Sequence, residues 1–309
     1  MPPIVSVIIC THNPRRNYLK KVLQALMAQT LSTDLWELLL IDNASEHILA
    51  SEIDLGWHPL SRHIREEQLG LTPARLRGIK EAIAEILVFV DDDNVLDPDY
   101  LEIALRISKD YSIIGVWGGQ IKPEFEQEPP EWIKPNLNNL LGYLACREFS
   151  EDKWSNLVHE YRTTPCGAGL CARKIVAEKY AELVNKDPRR ADLDRKGKQL
   201  TSCGDYDLAY TACDMGLGTA QFISLKLNHL IPPSRLEEDY ILHLIERIDY
   251  SITIMEYLRG KLPSQSNWRG KIYQKYLRLR YGSKRFRFQD ASAKGVRLAL
   301  EEIASWQDQ

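Results

Sequence analysis

Residues 86–93 read Ile-Leu-Val-Phe-Val-Asp-Asp-Asp, five apolar residues followed directly by three aspartates. A short, uninterrupted apolar run is typical of a strand that is buried on both faces of a parallel sheet. Three adjacent carboxylates at the end of such a strand repel one another, and partial burial raises the free-energy cost of each charge. The stretch therefore predicts a central strand of an α/β fold, with an acidic cluster at its end.

Strands and helices alternate along the first part of the chain. Apolar runs predict strands at 5–10, 37–41, 63–65 and 86–90, and apolar residues at helical spacing predict helices at 16–29 and 73–84. This alternation predicts an α/β fold with an open, mostly parallel sheet and helices on both faces. Ligands of such sheets bind beyond the carboxyl ends of the strands, so we expect 11–15, 42–45 and 91–93 to share one edge.

The rest of the chain predicts further elements of both kinds. We expect helices at 100–108 and 205–215, strands at 113–119 and 221–227, a proline-rich loop at 122–135, and mainly helices after Leu236. Residues 167–172 read Gly-Ala-Gly-Leu-Cys-Ala and fit a dinucleotide-binding fingerprint. No apolar strand precedes them, however, so the sequence does not predict a dinucleotide site there.

Composition restricts the class of protein. A chain of 309 residues with 44% hydrophobic residues can bury a sizeable core, which excludes disorder as the default. The longest apolar runs are far shorter than the roughly 20 residues of a membrane helix, and the N-terminal residues lack the order of a signal peptide. The six cysteines include no Cys-x-x-Cys pair, so we interpret them as reduced. We expect a cytoplasmic protein, with peripheral attachment to a membrane left open.

Charge is balanced overall and unbalanced locally. The net charge of −3 gives no general attraction to nucleic acid, but 259–297 is rich in Lys and Arg, with Asp290 as its only acid. Three interpretations of this basic region are a nucleic-acid-binding module, a contact with an anionic membrane surface or phosphorylated lipid, and a solvated helical face. Helical periodicity and the lack of a known nucleic-acid-binding motif argue against the first.

The three aspartates are candidate ligands of a divalent cation. Oxygen ligands suit Mg²⁺ or Mn²⁺, and Mg²⁺ commonly uses one or two carboxylates plus substrate phosphates. Asp91 and Asp93 point the same way if the segment is extended. The alternative is a solvated acidic turn before the next helix, with Asn94 and Asp97 as turn and cap residues.

Several segments together resemble the inverting glycosyltransferases of family 2, which share a GT-A fold. The matching segments are 5–13, 37–45, 70–78, 88–93 and 204–208, and the resemblance covers roughly 4–235. It implies a GT-A domain at 1–235, with a nucleotide-sugar half at about 1–120 and an acceptor half at about 121–235. Residues 236–309 would form a basic helical C-terminal extension. The implied enzyme moves a sugar from a nucleotide diphosphate sugar to an acceptor hydroxyl with inversion.

The resemblance also implies a donor site. Its nucleotide-sugar-binding residues would be Thr11, Asn13, Arg15, Asp42, Arg75, Asp91 and Asp92. Asp42 would read the base, which favours UDP or dTDP because uracil and thymine offer an N–H. Mn²⁺ or Mg²⁺ would be held by Asp93, Asp91 and His229, and Arg235 would neutralise phosphate charge. An exposed helix arginine at 75 and a structural histidine at 229 remain the alternatives.

A second acidic motif supplies the implied catalytic base. Residues 204–208 read Gly-Asp-Tyr-Asp-Leu, and Asp205 occupies the position of the family's base, which removes the acceptor's proton. The family usually has glutamate where Gly204 stands. A shifted register would make Asp207 the base, and helix capping is the structural alternative. Gly167, Gly169 and Asp207 are implied on the acceptor side.

Two other functions remain as alternatives. A sugar nucleotidyltransferase also uses an α/β nucleotide fold, but we expect it to have a Gly- and Lys/Arg-rich phosphate loop, which 11–15 does not resemble. A non-catalytic nucleotide-sugar-binding GT-A protein is opposed only by the presence of both Asp93 and Asp205. For the enzyme we expect a saccharide or lipid-linked acceptor and no nucleic-acid partner.

Overall fold

The computed structural model describes residues 2–261 and 286–307. The strands are β1 (Val5–Thr11), β2 (Trp36–Asn43), β3 (Ser61–Glu66), β4 (Ile86–Asp91), β5 (Asn94–Leu96), β6 (Ile114–Phe125), β7 (Lys153–Ser155), β8 (Cys171–Arg173) and β9 (Gly218–Ile231). The helices are α1 (Arg16–Met27), α2 (Leu71–Glu81), α3 (Tyr100–Asp110), α4 (Leu137–Leu140), α5 (Lys174–Lys186), α6 (Gly204–Asp214), α7 (Glu238–Leu258) and α8 (Arg287–Gln307).

The strands form one sheet in the order β3-β2-β1-β4-β8-β6-β9-β5, with β7 added beside β9. The first four strands are parallel, and β6 and β9 run in the same direction as these four. Strands β5, β7 and β8 run the opposite way. The predicted α/β class is therefore confirmed. The parallel half of the sheet contains the strand ends that we expected to meet at one edge.

Helices cover both faces of this sheet because its inner strands are apolar on both faces. On β1, Val7 and Ile9 point to the layer that contains α1 and α3, whereas Ile8 points to the layer that contains α2, α5 and α6. Every residue of β2 is buried. This burial of successive residues explains the uninterrupted apolar runs in the sequence.

The structure departs from the sequence predictions at β6 and α5, and it adds the short strands β5, β7 and β8 and the short helix α4. Strand β6 continues through Pro123 to Phe125, where we predict a loop, and there it pairs in register with β9. Proline is tolerated because β8 pairs only with Val116 and Trp117 of β6, which leaves Pro123 near an open edge. Helix α5 lies outside the predicted elements, although Val176, Ala177, Tyr180 and Val184 form a helical stripe on its buried face.

Helices α7 and α8 pack against each other and against the sheet domain. Ile241 and Leu244 of α7 join an apolar cluster with Ile231, while Ile254 and Met255 join another with Tyr210. The predicted helical character of the C-terminal part is thus confirmed. Much of the basic region, 262–285, lies outside the described residues. The expected contact of this region with a membrane surface therefore stays a prediction. Among the described helices, none is long and apolar enough to cross a membrane.

The close approach of α7 and α8 at Gly295 generates a stability prediction. A Cβ on Gly295 would lie 2.0 Å from the carbonyl oxygen of Glu246, so Gly295→Ala must push the helices apart. We expect this overpacking to lower the free energy of unfolding by about 1–3 kcal/mol, measured by urea denaturation. Gly142→Ala is the control, because its Cβ meets nothing within 4 Å. A Gly295→Ala variant as stable as the parent would contradict the packing described here.

Candidate active site

A cavity of about 320 Å³ opens at the carboxyl ends of β1, β2 and β4. Two register pairs explain why the predicted segments meet there: Thr11 pairs with Asp42, and Cys10 pairs with Asp91. The predicted residues in its wall are Thr11, Arg75, Asp91, Asp92, Asp93, Gly167, Asp205, His229 and Arg235. Residues far apart in sequence therefore surround one space of a size that fits a small-molecule ligand.

The three aspartates form an acidic turn, in which Asp91 is the last residue of β4 and Asp92 and Asp93 lie between β4 and β5. Asp92 accepts a hydrogen bond from the Thr11 hydroxyl at the end of β1. Burial and the neighbouring charge of Asp93 raise the pKa of Asp92 to about 7, and the same two causes raise the pKa of Asp91. The end of β4 therefore holds more negative charge than its surroundings readily stabilise.

Asp93 is stabilised by two basic side chains. The antiparallel pairing of Asn94 with His229 brings the imidazole beside the acidic turn, 3.4 Å from Asp93 Oδ2. Arg235 lies 2.9 Å from the same oxygen and 2.9 Å from His229 Nε2. Although burial opposes the shift, His229 and Arg235 hold the pKa of Asp93 well below its usual range. Arg235 thus bridges Asp93 and His229.

Asp205 lies in the first turn of α6 and also lines the cavity. Its side chain is 8% exposed, and it accepts hydrogen bonds from the backbone N–H of Gly167 at 2.6 Å and of Tyr206 at 2.8 Å. Burial raises the pKa of Asp205, Arg75 opposes the increase, and Asp194 adds to it. A carboxylate with a raised pKa that faces a cavity has the properties of a general base.

Arg75 is buried rather than exposed. It projects from α2, and its Nη1 donates to Asp194 at 2.9 Å. A Cβ on Gly167 would lie 2.4 Å from Nη2 of Arg75, so only glycine leaves room for the guanidinium there. Asp194 follows the 3-10 helix Pro188–Leu193. It belongs to no recognisable sequence motif, so the sequence did not indicate its role in the site.

Arg147 is a second cavity residue that sequence reasoning missed. Its guanidinium bonds to the carbonyl of Thr164 at 2.7 Å and to the hydroxyl of Tyr206. It also lines a neighbouring cavity of about 390 Å³, which shares Gly142 with the first. Arg147 follows a short irregular segment in a region without strong periodicity, which explains why no pattern indicated it.

Three residues predicted on the nucleotide side are not brought to the cavity wall. The Asp42 carboxylate accepts hydrogen bonds from the N–H groups of Ser45 and Leu49 and from Arg65 at 2.8 Å, so it organises its own loop. Asn13 accepts from the N–H of Glu46 at 2.9 Å. Arg15 forms an exposed ion pair with Glu126 at 3.1 Å.

Two residues predicted on the acceptor side also have structural partners. Asp207 is 0% exposed, accepts from Arg190 at 2.6 and 2.7 Å, and accepts from Arg259 at 2.6 Å. The carbonyl of Gly169 accepts from the hydroxyl of Tyr100 at 2.6 Å, with a backbone φ of 69° that favours glycine. Neither lines the cavity. Asp205 is therefore the aspartate of 204–208 that faces it.

Comparisons with known proteins agree with this architecture. Glucosyl-dolichyl phosphate glucuronosyltransferase of Haloferax volcanii is 23% identical over 140 residues, which are 45% of this chain and 44% of that protein. Glycosyltransferase AglE of the same organism is 34% identical over 103 residues, 32% of this chain and 34% of that protein. The chain thus matches less than half the length of either relative.

A solved structure shows the same fold. The crystal structure of S. aureus TarS superposes with a TM-score of 0.52 and 15% identity, covering 86% of this chain and 45% of TarS. At this identity the likeness concerns the fold alone. The family model described as Glycosyl transferase family 2 matches residues 6–171, more than half of the 309 residues and the region that contains Asp91, Asp92 and Asp93. The chain has a GT-A fold and belongs to glycosyl transferase family 2.

Proposed function

We propose that this glycosyltransferase moves a sugar, with inversion, from a nucleotide diphosphate sugar to an acceptor hydroxyl. The observation that carries the proposal is the presence, in the wall of one cavity, of both the acidic turn at 91–93 and a buried carboxylate, Asp205. The two sites have distinct chemistry, because one can stabilise the departing diphosphate through a cation and the other can accept a proton.

The residues of the acidic turn fit a Mn²⁺ or Mg²⁺ ion. Their oxygen donors suit either cation, and the raised pKa values of Asp91 and Asp92 reflect crowded negative charge that a cation would relieve. Within 2–261 and 286–307 no three His, Cys, Asp or Glu side chains converge as a metal site. Mg²⁺ commonly needs only one or two carboxylates, with phosphates completing its shell.

We assign the ion to Asp91 and Asp93. His229 is the weaker candidate, since Arg235 already lies between it and Asp93. When bound, the cation supplies stabilisation of negative charge on the diphosphate leaving group. Arg235 adds a fixed positive charge at the same end of the cavity, and we propose that it binds a phosphate oxygen there.

The nucleotide end of the donor belongs at the ends of β1 and β2. Thr11 and Asp92 lie in the cavity wall there, already hydrogen-bonded to each other, and they support a ribose contact. The base contact of Asp42, and with it the preference for UDP or dTDP, stays a prediction. Its carboxylate already serves three donors, so a base N–H would compete with Arg65 or with the backbone of its own loop.

We propose that Asp205 performs the proton transfer. The acceptor hydroxyl gives its proton to an Asp205 oxygen as its own oxygen attacks the anomeric carbon. The bond from that carbon to the diphosphate oxygen breaks on the opposite face, and its electron pair leaves with the diphosphate. Attack from the face opposite the leaving diphosphate inverts the anomeric carbon, and the hydrogen bonds from Gly167 and Tyr206 hold the Asp205 carboxylate in place.

The neighbouring cavity beside Arg147 supports an acceptor site. Its wall combines apolar and aromatic side chains, among them Leu141 and Phe149, with the basic Arg147 and Lys153. We propose a saccharide acceptor, and the name of the Haloferax volcanii relative, which includes glucosyl-dolichyl phosphate, favours a lipid-linked one. Contact of the basic region 259–297 with a membrane surface also stays a prediction.

Replacement of the proposed base gives the first test of this mechanism. We expect Asp205→Asn to lower kcat by about 10²- to 10⁴-fold, the usual contribution of a general base, while donor affinity stays the same. Turnover assays and titration calorimetry measure the two quantities. Asp99→Asn is the matched control, an exposed aspartate outside the cavity wall. Undiminished kcat in Asp205→Asn would refute the assignment, and binding without turnover in the parent would favour a non-catalytic protein.

The raised pKa of Asp205 predicts a pH dependence. The base acts only when it is deprotonated, so kcat/KM should fall as the pH drops through the raised pKa. The acid limb should therefore lie above about 4, the ordinary pKa of aspartate. The profile of kcat/KM between pH 4 and 8 measures it. A rate that stays constant down to pH 4 would show that the burial of Asp205 does not control catalysis.

Metal dependence forms a separate test. UDP, dTDP and GDP are each titrated into the protein with Mn²⁺ and with EDTA. We expect one nucleotide to bind only with the metal, and Asp93→Asn to abolish that dependence because it removes a carboxylate charge from the proposed ligand set. Asp99→Asn again serves as the control. Equal affinity of the parent in Mn²⁺ and EDTA would exclude the metal from donor binding.

A further inference from the structure

Gly204 departs from the pattern of the family at the residue directly before the proposed base. The family usually has glutamate there, and the resemblance alone does not indicate which residue of this chain takes the place of that carboxylate. A Cβ on Gly204 would lie 2.2 Å from Oδ2 and 2.6 Å from Cγ of Asp194. The carboxyl group of Asp194 thus fills the space into which a side chain at 204 would extend.

Asp194 is built into the site by several hydrogen bonds. It is 3% exposed and accepts from the Thr72 hydroxyl at 2.9 Å, from Arg75 at 2.9 Å and from the N–H of Gly204 at 3.2 Å. It also lines the cavity that contains Asp205. Its carboxylate therefore joins α2, which carries Thr72 and Arg75, to the first turn of α6.

We infer that Asp194 is the second acid of this active site, a positioning residue that replaces the missing glutamate from a different segment of the chain. The inference rests on the proposed function, because it assigns Asp194 a role toward Asp205 as the base. One contact supports it directly. The space in which a side chain at 204 would lie is filled by the carboxylate of Asp194, ten residues upstream.

Asp194 acts by holding Arg75. Nη1 of Arg75 donates to Asp194, and Nη2 lies beside Gly167, where a Cβ would be 2.4 Å from this nitrogen and 3.5 Å from Asp205 Oδ2. Arg75 is thus close to Asp205 but bound to Asp194. Without the Asp194 charge, the guanidinium would turn to Asp205, which acts on Arg75 more strongly than Asp91 does, because a buried cation seeks a partner. An ion-paired Asp205 is a weaker base.

This role differs from simple structural support in its pH signature. Arg75 lowers the pKa of Asp205 and Asp194 raises it. Loss of the Asp194 charge should therefore lower the pKa of the base, and the acid limb of kcat/KM should move to lower pH. A variant that is merely less stable would lose activity without moving this limb.

The test uses Asp194→Asn, which keeps the shape and removes the charge. We expect kcat to fall by about 10- to 100-fold, as misplacement near the reacting atoms typically costs, and the acid limb to shift downward. Donor affinity by calorimetry and far-UV circular dichroism check that the protein is folded. Asp192→Asn is the control, a 74% exposed side chain two residues earlier, and should match the parent.

A reciprocal exchange provides a second, independent measurement. Gly204→Glu alone should be impaired, because its Cβ meets the Asp194 carboxylate, and Asp194→Gly alone should lose the acid. The double variant Asp194→Gly/Gly204→Glu clears the space and restores a carboxylate beside Asp205. We expect its kcat to exceed that of either single variant by about tenfold or more, as coupled neighbouring sites allow.

The outcomes separate this inference from the function on which it rests. If Asp205→Asn is inactive while Asp194→Asn has the kcat and acid limb of the parent, only the role of Asp194 is overturned. A double variant no better than the single variants overturns it as well, and decides the case if Asp194→Asn fails to fold. If Asp205→Asn keeps full activity, the proposed base and the role of Asp194 fail together.

Discussion

The parallel register of β1 with β2 and β4 is the constraint on which the site depends. It aligns Cys10 with Asp91 and Thr11 with Asp42, so the strand ends reach one edge at the same height. Apolar contacts on both faces of the sheet hold this register. A slip by one residue would turn every side chain of β2, a strand that is buried throughout, to the other face of the sheet. The core thereby fixes the acidic turn of β4 beside Thr11.

Buried carboxylates and arginines form two groups in the cavity wall. In the first group Asp93 is matched by Arg235 and His229, while burial and the charge of Asp93 raise the pKa values of Asp91 and Asp92. In the second group Arg75 pairs with Asp194 and lies close to Asp205, whose pKa is raised. The proposed cation site belongs to the first group and the proposed base to the second.

Sequence reasoning found the cavity residues that belong to contiguous motifs beside a regular element. The aspartates of 91–93 come directly after a buried strand, and Asp205 opens a helix, so local patterns indicated both. Asp194 and Arg147 come from irregular segments, and only tertiary contacts bring them to the cavity. Asp42 shows a different limit of sequence reasoning. Its position in the motif was clear, but the sequence did not indicate that its carboxylate is hydrogen-bonded to Ser45, Leu49 and Arg65.

The Asp207 cluster has a consequence for how the enzyme unfolds. Arg190 and Arg259 approach this fully buried carboxylate from the 3-10 helix Pro188–Leu193 and from the end of α7, and Arg190 also donates to the carbonyl of Leu258. Melting of α7 would withdraw Arg259 and leave α6 with a poorly compensated buried charge. Helix α7 and the helix that bears Asp205 should therefore open as one cooperative unit, which couples loss of C-terminal order to loss of the proposed base.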